Sequence, residues 1–287
     1  MKKQMWALAV CALAASGAFA QSNDTISKVK SSGTITMGVR ESSGALSYAL
    51  GDGKFAGFHI DICNRIIADL EKTVGKKLNV VYQPVTSQNR IPLVQNGTVD
   101  LECGSTTNNL ARQKDVAFAV TTYVTEVRMA VKVASGINSI SQLNGKTVAT
   151  TTGTTSVQHL RKHERANGVD FKEIFGKDHA DSFLLLETGR ADAFVMDDYI
   201  LAGNIQRARN PKDFKIAGEP LSIEPIAIMI RKDDPAFKKA CDDTIKALAK
   251  ANQLGPMLAK YGLEPGADTK AAWANPNDKP MEEYAKK

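Results

Sequence analysis

The strongest constraint on this sequence is a short pattern that occurs twice. Gly97-Thr98-Val99-Asp100 and Gly189-Arg190-Ala191-Asp192 share a Gly-x-x-Asp spacing. Each lies between a stretch of helical periodicity and a run with strand character. Each predicted strand then delivers polar residues at its C-terminal end, Ser105 and Thr107 in the first case and Asp197 in the second. The spacing between the two copies is too large for a solenoid repeat. It fits two α/β lobes built by one logic. In open α/β sheets, ligands bind beyond the C-terminal ends of the strands, so two facing lobes predict a cleft.

The rest of the chain continues the alternation. Ile35, Met37 and Val39 alternate within a strand over 33–40, and Phe58, Ile62, Ile66, Ile67 and Leu70 follow a helical period. Strands are expected at 80–85 and 99–103, with a helix over 87–96 between them capped by Ser87 and closed by Gly97. In the second half, strands at 146–150, 193–196 and 226–230 are interleaved with helices from Ser156 to about Arg165, up to Thr188, and over 237–251. The segment beyond Glu264 reads as a Pro-, Asn- and Lys-rich tail. Strand–helix alternation of this kind predicts an α/β protein with largely parallel sheets. At 287 residues there is chain for two domains.

The first twenty residues read as a signal peptide. Lys2 and Lys3 precede an apolar run from Trp6 to Ala15, and Ala18-Phe19-Ala20 forms an A-x-A exit. The run is about half of the roughly 20 residues that a spanning helix needs. A soluble, exported chain is expected, and its net charge of +6 falls by two when Lys2 and Lys3 are removed. A mild basic excess selects no partner by itself. Three of the four cysteines, Cys63, Cys103 and Cys241, remain in that chain, and their pairing is open at this point.

No G-x-S-x-G elbow, Walker loop or H-E-x-x-H segment is present. His159 and His163 have i, i+4 spacing, but no motif supplies a third ligand, and a solvated helix face is the expectation. His59 is expected to be structural. Cys103 has no neighbour that would activate it. What the chain does carry is cationic and hydroxyl residues at strand ends and helix starts. These are Arg40, Ser87, Arg90, Ser105, Thr107, Arg112, Thr154, Thr155 and His179, with Asp181 beside the last. Such positions favour anions, through backbone N–H groups, helix dipoles and the bidentate guanidinium.

These stretches resemble one family. Gly38-Val39-Arg40-Glu41-Ser42-Ser43, Thr86-Ser87-Gln88-Asn89-Arg90-Ile91-Pro92-Leu93 and Glu102-Cys103-Gly104-Ser105-Thr106-Thr107-Asn108-Asn109 with Arg112-Gln113 are similar to the periplasmic amino-acid solute-binding proteins of ABC importers. So are Gly153-Thr154-Thr155-Ser156, Lys177-Asp178-His179, Gly189-Arg190-Ala191 and Met196-Asp197-Asp198. The Ser-Gln-Asn-Arg and Cys-Gly-Ser-Thr-Thr-Asn-Asn stretches resemble the subgroup for acidic amino acids. The resemblance covers about residues 25–262.

The resemblance implies a type II, two-lobed Venus-flytrap fold with two crossover hinge strands. Lobe 1 would comprise 21–124 and 222–287, and lobe 2 would comprise 125–221, with crossovers near Thr121–Val127 and Ala217–Ile223. It implies a non-enzymatic, monomeric periplasmic protein that binds glutamate or aspartate and delivers it to a membrane permease. No cofactor, metal or nucleic acid is implied. Arg112, with Ser105, Thr107 and a backbone N–H near Thr154 and Thr155, would hold the α-carboxylate. Asp197 would take the α-ammonium, and Arg40, Ser87, Arg90 and His179 would surround the side-chain carboxylate. The alternatives on the same fold are an exported dehydratase acting on a small diacid, with Glu102, Glu41 or His179 as acid, and a ligand-sensing domain.

Overall fold

In the computed structural model, which describes residues 24–284, the chain alternates as its periodicity predicts. The expected signal peptide lies outside the described residues. Helix α1 (Thr25–Ser32) leads into β1 (Thr34–Val39). Three short strands follow, β2 (Ser42–Ser43), β3 (Ser47–Gly51) and β4 (Lys54–Ala56), then α2 (Phe58–Val74), β5 (Asn79–Pro84), α3 (Arg90–Gln95), β6 (Leu101–Glu102) and β7 (Val116–Phe118). The chain then enters a second sheet through β8 (Tyr123–Lys132). That sheet is completed by β9 (Thr147–Thr151), β10 (Lys172–Gly176), β11 (Ala193–Asp197) and β12 (Phe214–Ile226), with α4 (Thr155–Asn167), α5 (His179–Glu187) and α6 (Asp198–Arg207) between them. It returns through β13 (Met229–Arg231) to α7 (Pro235–Lys250) and α8 (Leu254–Ala259), and ends in α9 (Ala267–Ala274) and α10 (Met281–Tyr284).

Two five-stranded sheets result, ordered β5-β1-β6-β13-β7 and β10-β9-β11-β8-β12. In each, four strands run one way and one, β13 or β8, runs against them. The expected parallel character therefore holds for all but that one strand of each sheet. The antiparallel pairs arise because the chain must cross between lobes and come back. The crossings fall between Phe118 and Tyr123 and between Ile226 and Met229; the second lies beyond the Ala217–Ile223 expected for it, because β12 stays paired with β8 through Ile226. The strand expected over 226–230 is split there, since Ile226 belongs to the second sheet and Met229 to the first.

The repeated Gly-x-x-Asp explains why the lobes match. Gly97 and Gly189 both turn the chain in the left-handed region, at φ +76° and +74°. Asp100 donates its N–H to the Thr36 carbonyl at 2.9 Å, and its carboxylate accepts the Thr36 N–H at 2.9 Å. Asp192 makes the same two bonds with Thr147, at 2.8 and 2.9 Å. In each lobe this aspartate pins the start of the strand after the helix against a parallel neighbour, β1 in the first lobe and β9 in the second.

Apolar faces close the cores. In the first lobe Ile35, Met37 and Val39 pack with Ile62, Ile66 and Leu70 of α2 and with Phe237, Cys241 and Ile245 of α7. In the second, Val127, Met129 and Val131 pack with Val148, Val195, Leu160 and Phe171. Cys63 of α2 is joined to Cys103 by a disulfide, and Cys241 is a buried free thiol. The tail is ordered rather than loose. Trp273 Nε1 donates to the Thr122 carbonyl at 2.8 Å, and the Thr121 N–H donates to the Asn277 carbonyl at 2.8 Å, so α9 and the segment after it pack on the first crossing.

Candidate functional site

Every residue expected at the cleft lies where the C-terminal ends of the two sheets face each other, and nearly all are buried. Arg40 ends β1 and is fully buried; Arg90 opens α3 and is 2% exposed. Arg112 follows the loop after β6, and Asp197 ends β11. Ser87, Ser105, Thr107, Thr154, Thr155 and His179 are all buried.

The helix carrying Arg90 is shorter than its periodicity suggests. Ser87 does not cap it. Thr86 and Asn89 instead exchange side-chain bonds with each other's backbone, the Asn89 Oδ1 accepting from the Thr86 N–H at 2.8 Å and the Thr86 Oγ1 accepting from the Asn89 N–H at 3.3 Å. The Ser87 hydroxyl is thereby freed, and it is buried without a partner in the chain.

Three buried guanidinium groups converge, and two of them, Arg40 and Arg90, have hydrogen-bonding capacity to spare. Arg40 Nε, Arg90 Nε and Arg90 Nη1 are buried donors with no partner in the chain. Burial and the neighbouring Arg112 and Arg40 cations push Arg90 down to about 9, against the pull of Glu102 and Asp197. Burial likewise lowers Arg112, against Glu224, Glu102 and Asp197. Buried donors on a charged group are costly unless something accepts from them. One buried carboxylate oxygen, Glu102 Oε1, also lacks a partner, while its Oε2 accepts from Thr106.

Several contacts join the lobes across this site. The Arg112 Nη1 donates to the Thr107 carbonyl at 2.9 Å and its Nη2 reaches the Gly153 carbonyl at 3.4 Å. Gly153 has φ +82°, and a Cβ there would lie 2.8 Å from the Gln88 Cα, so only glycine allows this approach. Arg40 pairs with Asp178, which also accepts from the Ser42 hydroxyl at 2.6 Å. Burial alone would raise the Asp178 carboxyl. The Arg40 guanidinium, His179 and the Ser42 hydroxyl outweigh it and hold the carboxyl at about 2.

His179 lies between Arg40 and Thr151, with Nε2 3.2 Å from Arg40 Nη2 and Nδ1 3.0 Å from Thr151 Oγ1. Burial, Arg40 and Arg90 push it down to about 3, against Asp178, so the ring is neutral at physiological pH. Because the arginine donates, Nε2 accepts here and Nδ1 carries the proton. Asp197 behaves in the opposite sense. Burial, then Glu224 and Asp198, raise its carboxyl well above the ordinary range, against Arg90 and Arg112.

Some expected roles are altered. Thr154 donates its hydroxyl to the Thr151 carbonyl at 2.8 Å, which ties it to the turn. Ser105 Oγ is shared between Arg40 Nη1 at 3.3 Å and Ser43 Oγ at 2.9 Å. Asp181 closes a capping box with Asp178 at the start of α5. His59 is buried between the Gly104 carbonyl, 2.6 Å away, and Thr122 Oγ1, 2.7 Å away, and burial pushes it down to about 4 despite the Gly104 bond. That is the structural role expected of it.

His159 and His163 do not form the solvated face that their spacing predicts. His159 Nε2 lies 2.8 Å from Glu224 Oε1, and the His163 ring stacks on Phe171 with centroids 6.4 Å apart. The inward turn of α4 against β12 is the reason. Among the described residues no cluster of three or more His, Cys, Asp or Glu fits a metal ion. Glu224 and Asp178 are the site residues that the chain's patterns did not single out. Asp178 had a signal, as the residue before a helix with an acid three positions on, which is the capping-box spacing. Glu224 is a lone acid within a strand, and no spacing marks it.

The model of bacterial extracellular solute-binding proteins, family 3, matches residues 35–264. The chain belongs to this family. It is 41% identical over 295 residues to the glutamate/aspartate import solute-binding protein of Escherichia coli (strain K12), covering 96% of this chain and 98% of that one. It is 42% identical over 244 residues to the L-glutamate/L-aspartate-binding protein of Pseudomonas aeruginosa, covering 84% and 80%. Among solved structures, the ancestral amino-acid-binding protein AncCDT-1, described as a precursor of cyclohexadienyl dehydratase, superposes with a TM-score of 0.72 at 25% identity, covering 83% of this chain and 99% of that one. The two-lobed α/β architecture is that of the type II periplasmic binding proteins, as the family resemblance implied.

Proposed function

We propose that this protein is the periplasmic substrate-binding component of an ABC amino-acid importer, that it binds glutamate or aspartate between its lobes, and that it hands the ligand to a membrane permease. The observation that carries this reading is the set of unpartnered buried donors on Arg40, Arg90 and Ser87, at the C-terminal end of the first sheet, in a site that already holds a third arginine. An acidic amino acid brings two carboxylates and one ammonium. Arg112 takes the α-carboxylate, Asp197 the ammonium, and Arg40, Ser87 and Arg90 the side-chain carboxylate, with His179 beside it. A neutral side chain would leave those donors unsatisfied inside the protein. The names of the relatives support the same ligand class.

Contacts to both lobes favour the closed form, and the crossings at 119–122 and 227–228 supply the hinge. The binding role is favoured over catalysis because the ring nitrogens of His179 are both engaged, with Arg40 and Thr151, and burial and the arginines leave the ring a weak base. A thermal-shift panel on ligand-stripped, refolded protein tests the reading. A ligand at about 1,000 times its Kd stabilises the fold by roughly 4 kcal/mol. Glutamate and aspartate should raise Tm, and leucine and lysine should not. No response to either acid would sink the proposal.

A further inference from the structure

Glu224 is buried on β12, beside the second crossing, and every acceptor position of its carboxylate is in use. Oε2 accepts from the Thr107 hydroxyl and, at 2.8 Å, from the Thr155 hydroxyl. Oε1 accepts from His159 Nε2 at 2.8 Å and from the Ser222 hydroxyl at 3.2 Å. Burial alone would raise this carboxyl; the His159 bond and charge and the two threonine hydroxyls lower it instead. An ionised carboxylate only accepts, so both threonine protons are committed to it. Each threonine oxygen is left with lone pairs and no proton to give.

The two hydroxyls come from different lobes and meet at Glu224 Oε2, close to the backbone that Arg112 holds. Thr107 belongs to the loop after β6, and its carbonyl accepts from Arg112; Thr155 opens α4, two residues after the Gly153 carbonyl that Arg112 also reaches. An oxygen that can only accept is matched to a cation and mismatched to a carboxylate. We propose that Glu224 is a positioning residue of the ligand site, and that it fixes the Thr107 and Thr155 hydroxyls as acceptors for the α-ammonium of the bound amino acid. The inference rests on the amino-acid reading of the cleft and deepens it. It moves Thr107 from the carboxylate side, where the family resemblance put it, to the ammonium side. The α-carboxylate is then left to Arg112 and to backbone N–H groups. It also gives the site a second way, besides Asp197, to demand an amine.

Affinities of ligand-stripped protein for L-glutamate, measured by calorimetry, test this. Glu224→Met keeps the bulk and removes the acceptor, so the hydroxyls can turn their protons toward the ligand. The loss expected is about 10- to 100-fold in Kd, the range for a hydrogen bond to a charged group. In a Thr107→Val background the same change should cost several-fold less, because one hydroxyl through which it acts is gone. A merely structural role would lower affinity equally in both backgrounds, and that result overturns the inference, as does wild-type affinity in Glu224→Met. Neutron diffraction from the wild-type L-glutamate complex decides the matter even if the variant does not fold. Deuterons on Thr107 Oγ1 and Thr155 Oγ1 pointing at Glu224 support the inference, and deuterons pointing at the ligand carboxylate overturn it. If wild-type protein takes up no glutamate at all, the amino-acid reading fails first and the inference falls with it; a glutamate-binding wild type with misplaced deuterons fails the inference alone.

Discussion

Arg90→Met should make the ligand-free protein more stable while it destroys recognition of the acidic side chain. Arg90 is 2% exposed and carries two donors with no partner in the chain. Burial and two neighbouring arginines push it from the ordinary arginine range down to about 9. An arginine whose folded pKa lies below its unfolded one opposes folding in full at every pH below about 9, and the penalty vanishes only above the unfolded value. At about 1.36 kcal/mol per pH unit the ceiling on that penalty is roughly 5 kcal/mol. Methionine fills much of the same volume without charge, so a gain of about 1–3 kcal/mol is expected, or about 2–4 °C in Tm for each kcal/mol in a chain of this size. Recognition moves the other way. Two charge-assisted hydrogen bonds at about 1.5–3 kcal/mol each are lost, which is at least a 100-fold weakening of glutamate binding. Differential scanning calorimetry of stripped protein and titration calorimetry with L-glutamate give the two numbers. A variant less stable than wild type, or one that keeps wild-type affinity, would refute the reasoning. A site that sacrifices stability for function should behave in this opposed way.

Two further outcomes follow from the same geometry. Burial, then Glu224 and Asp198, raise the Asp197 carboxyl well above the ordinary range, and an arriving ammonium favours its ionised form. Binding at or below that raised pKa should therefore release a proton, and acidification through it should weaken binding by up to about tenfold per pH unit; calorimetry at descending pH in buffers of different ionisation enthalpy should detect the release, and uptake of a proton would contradict it. Gly203→Ala adds a methyl group 2.9 Å from the Gly44 Cα across the lobe seam, away from the ligand. Alanine suits helix α6 better than glycine by about 1 kcal/mol, so ligand-free Tm should hold or rise while glutamate affinity falls about tenfold or more, and unchanged affinity would show that the seam is not closed in the bound form.

The two-lobed plan was legible in the sequence because Gly-x-x-Asp does the same backbone work twice, pinning Thr36 and Thr147. The cationic members of the site were legible because arginines at strand and helix ends have few other reasons to be buried together. The three-stranded β2-β3-β4 unit was not, since strands of two to five residues carry too little alternation to register. Ser87 as a cap was overruled by Thr86 and Asn89, which compete for the same turn. Glu224 was invisible for a deeper reason. Its partners Thr107, Thr155 and His159 are brought to it only when both lobes and the crossing strand are assembled, and no local spacing records that meeting. The disulfide was equally a matter of assembly, with Cys63 and Cys103 40 positions apart.

The central claim is that the unpartnered donors of Arg40, Arg90 and Ser87 are there for a second carboxylate. Titration of ligand-stripped protein with L-glutamate and with L-glutamine tests it most directly, because the two differ only at that group. The account predicts 1:1 binding of glutamate at least 100-fold tighter than glutamine, since the amide brings no charge and sets an N–H₂ against donors. Equal affinities, or tighter binding of glutamine, would contradict it.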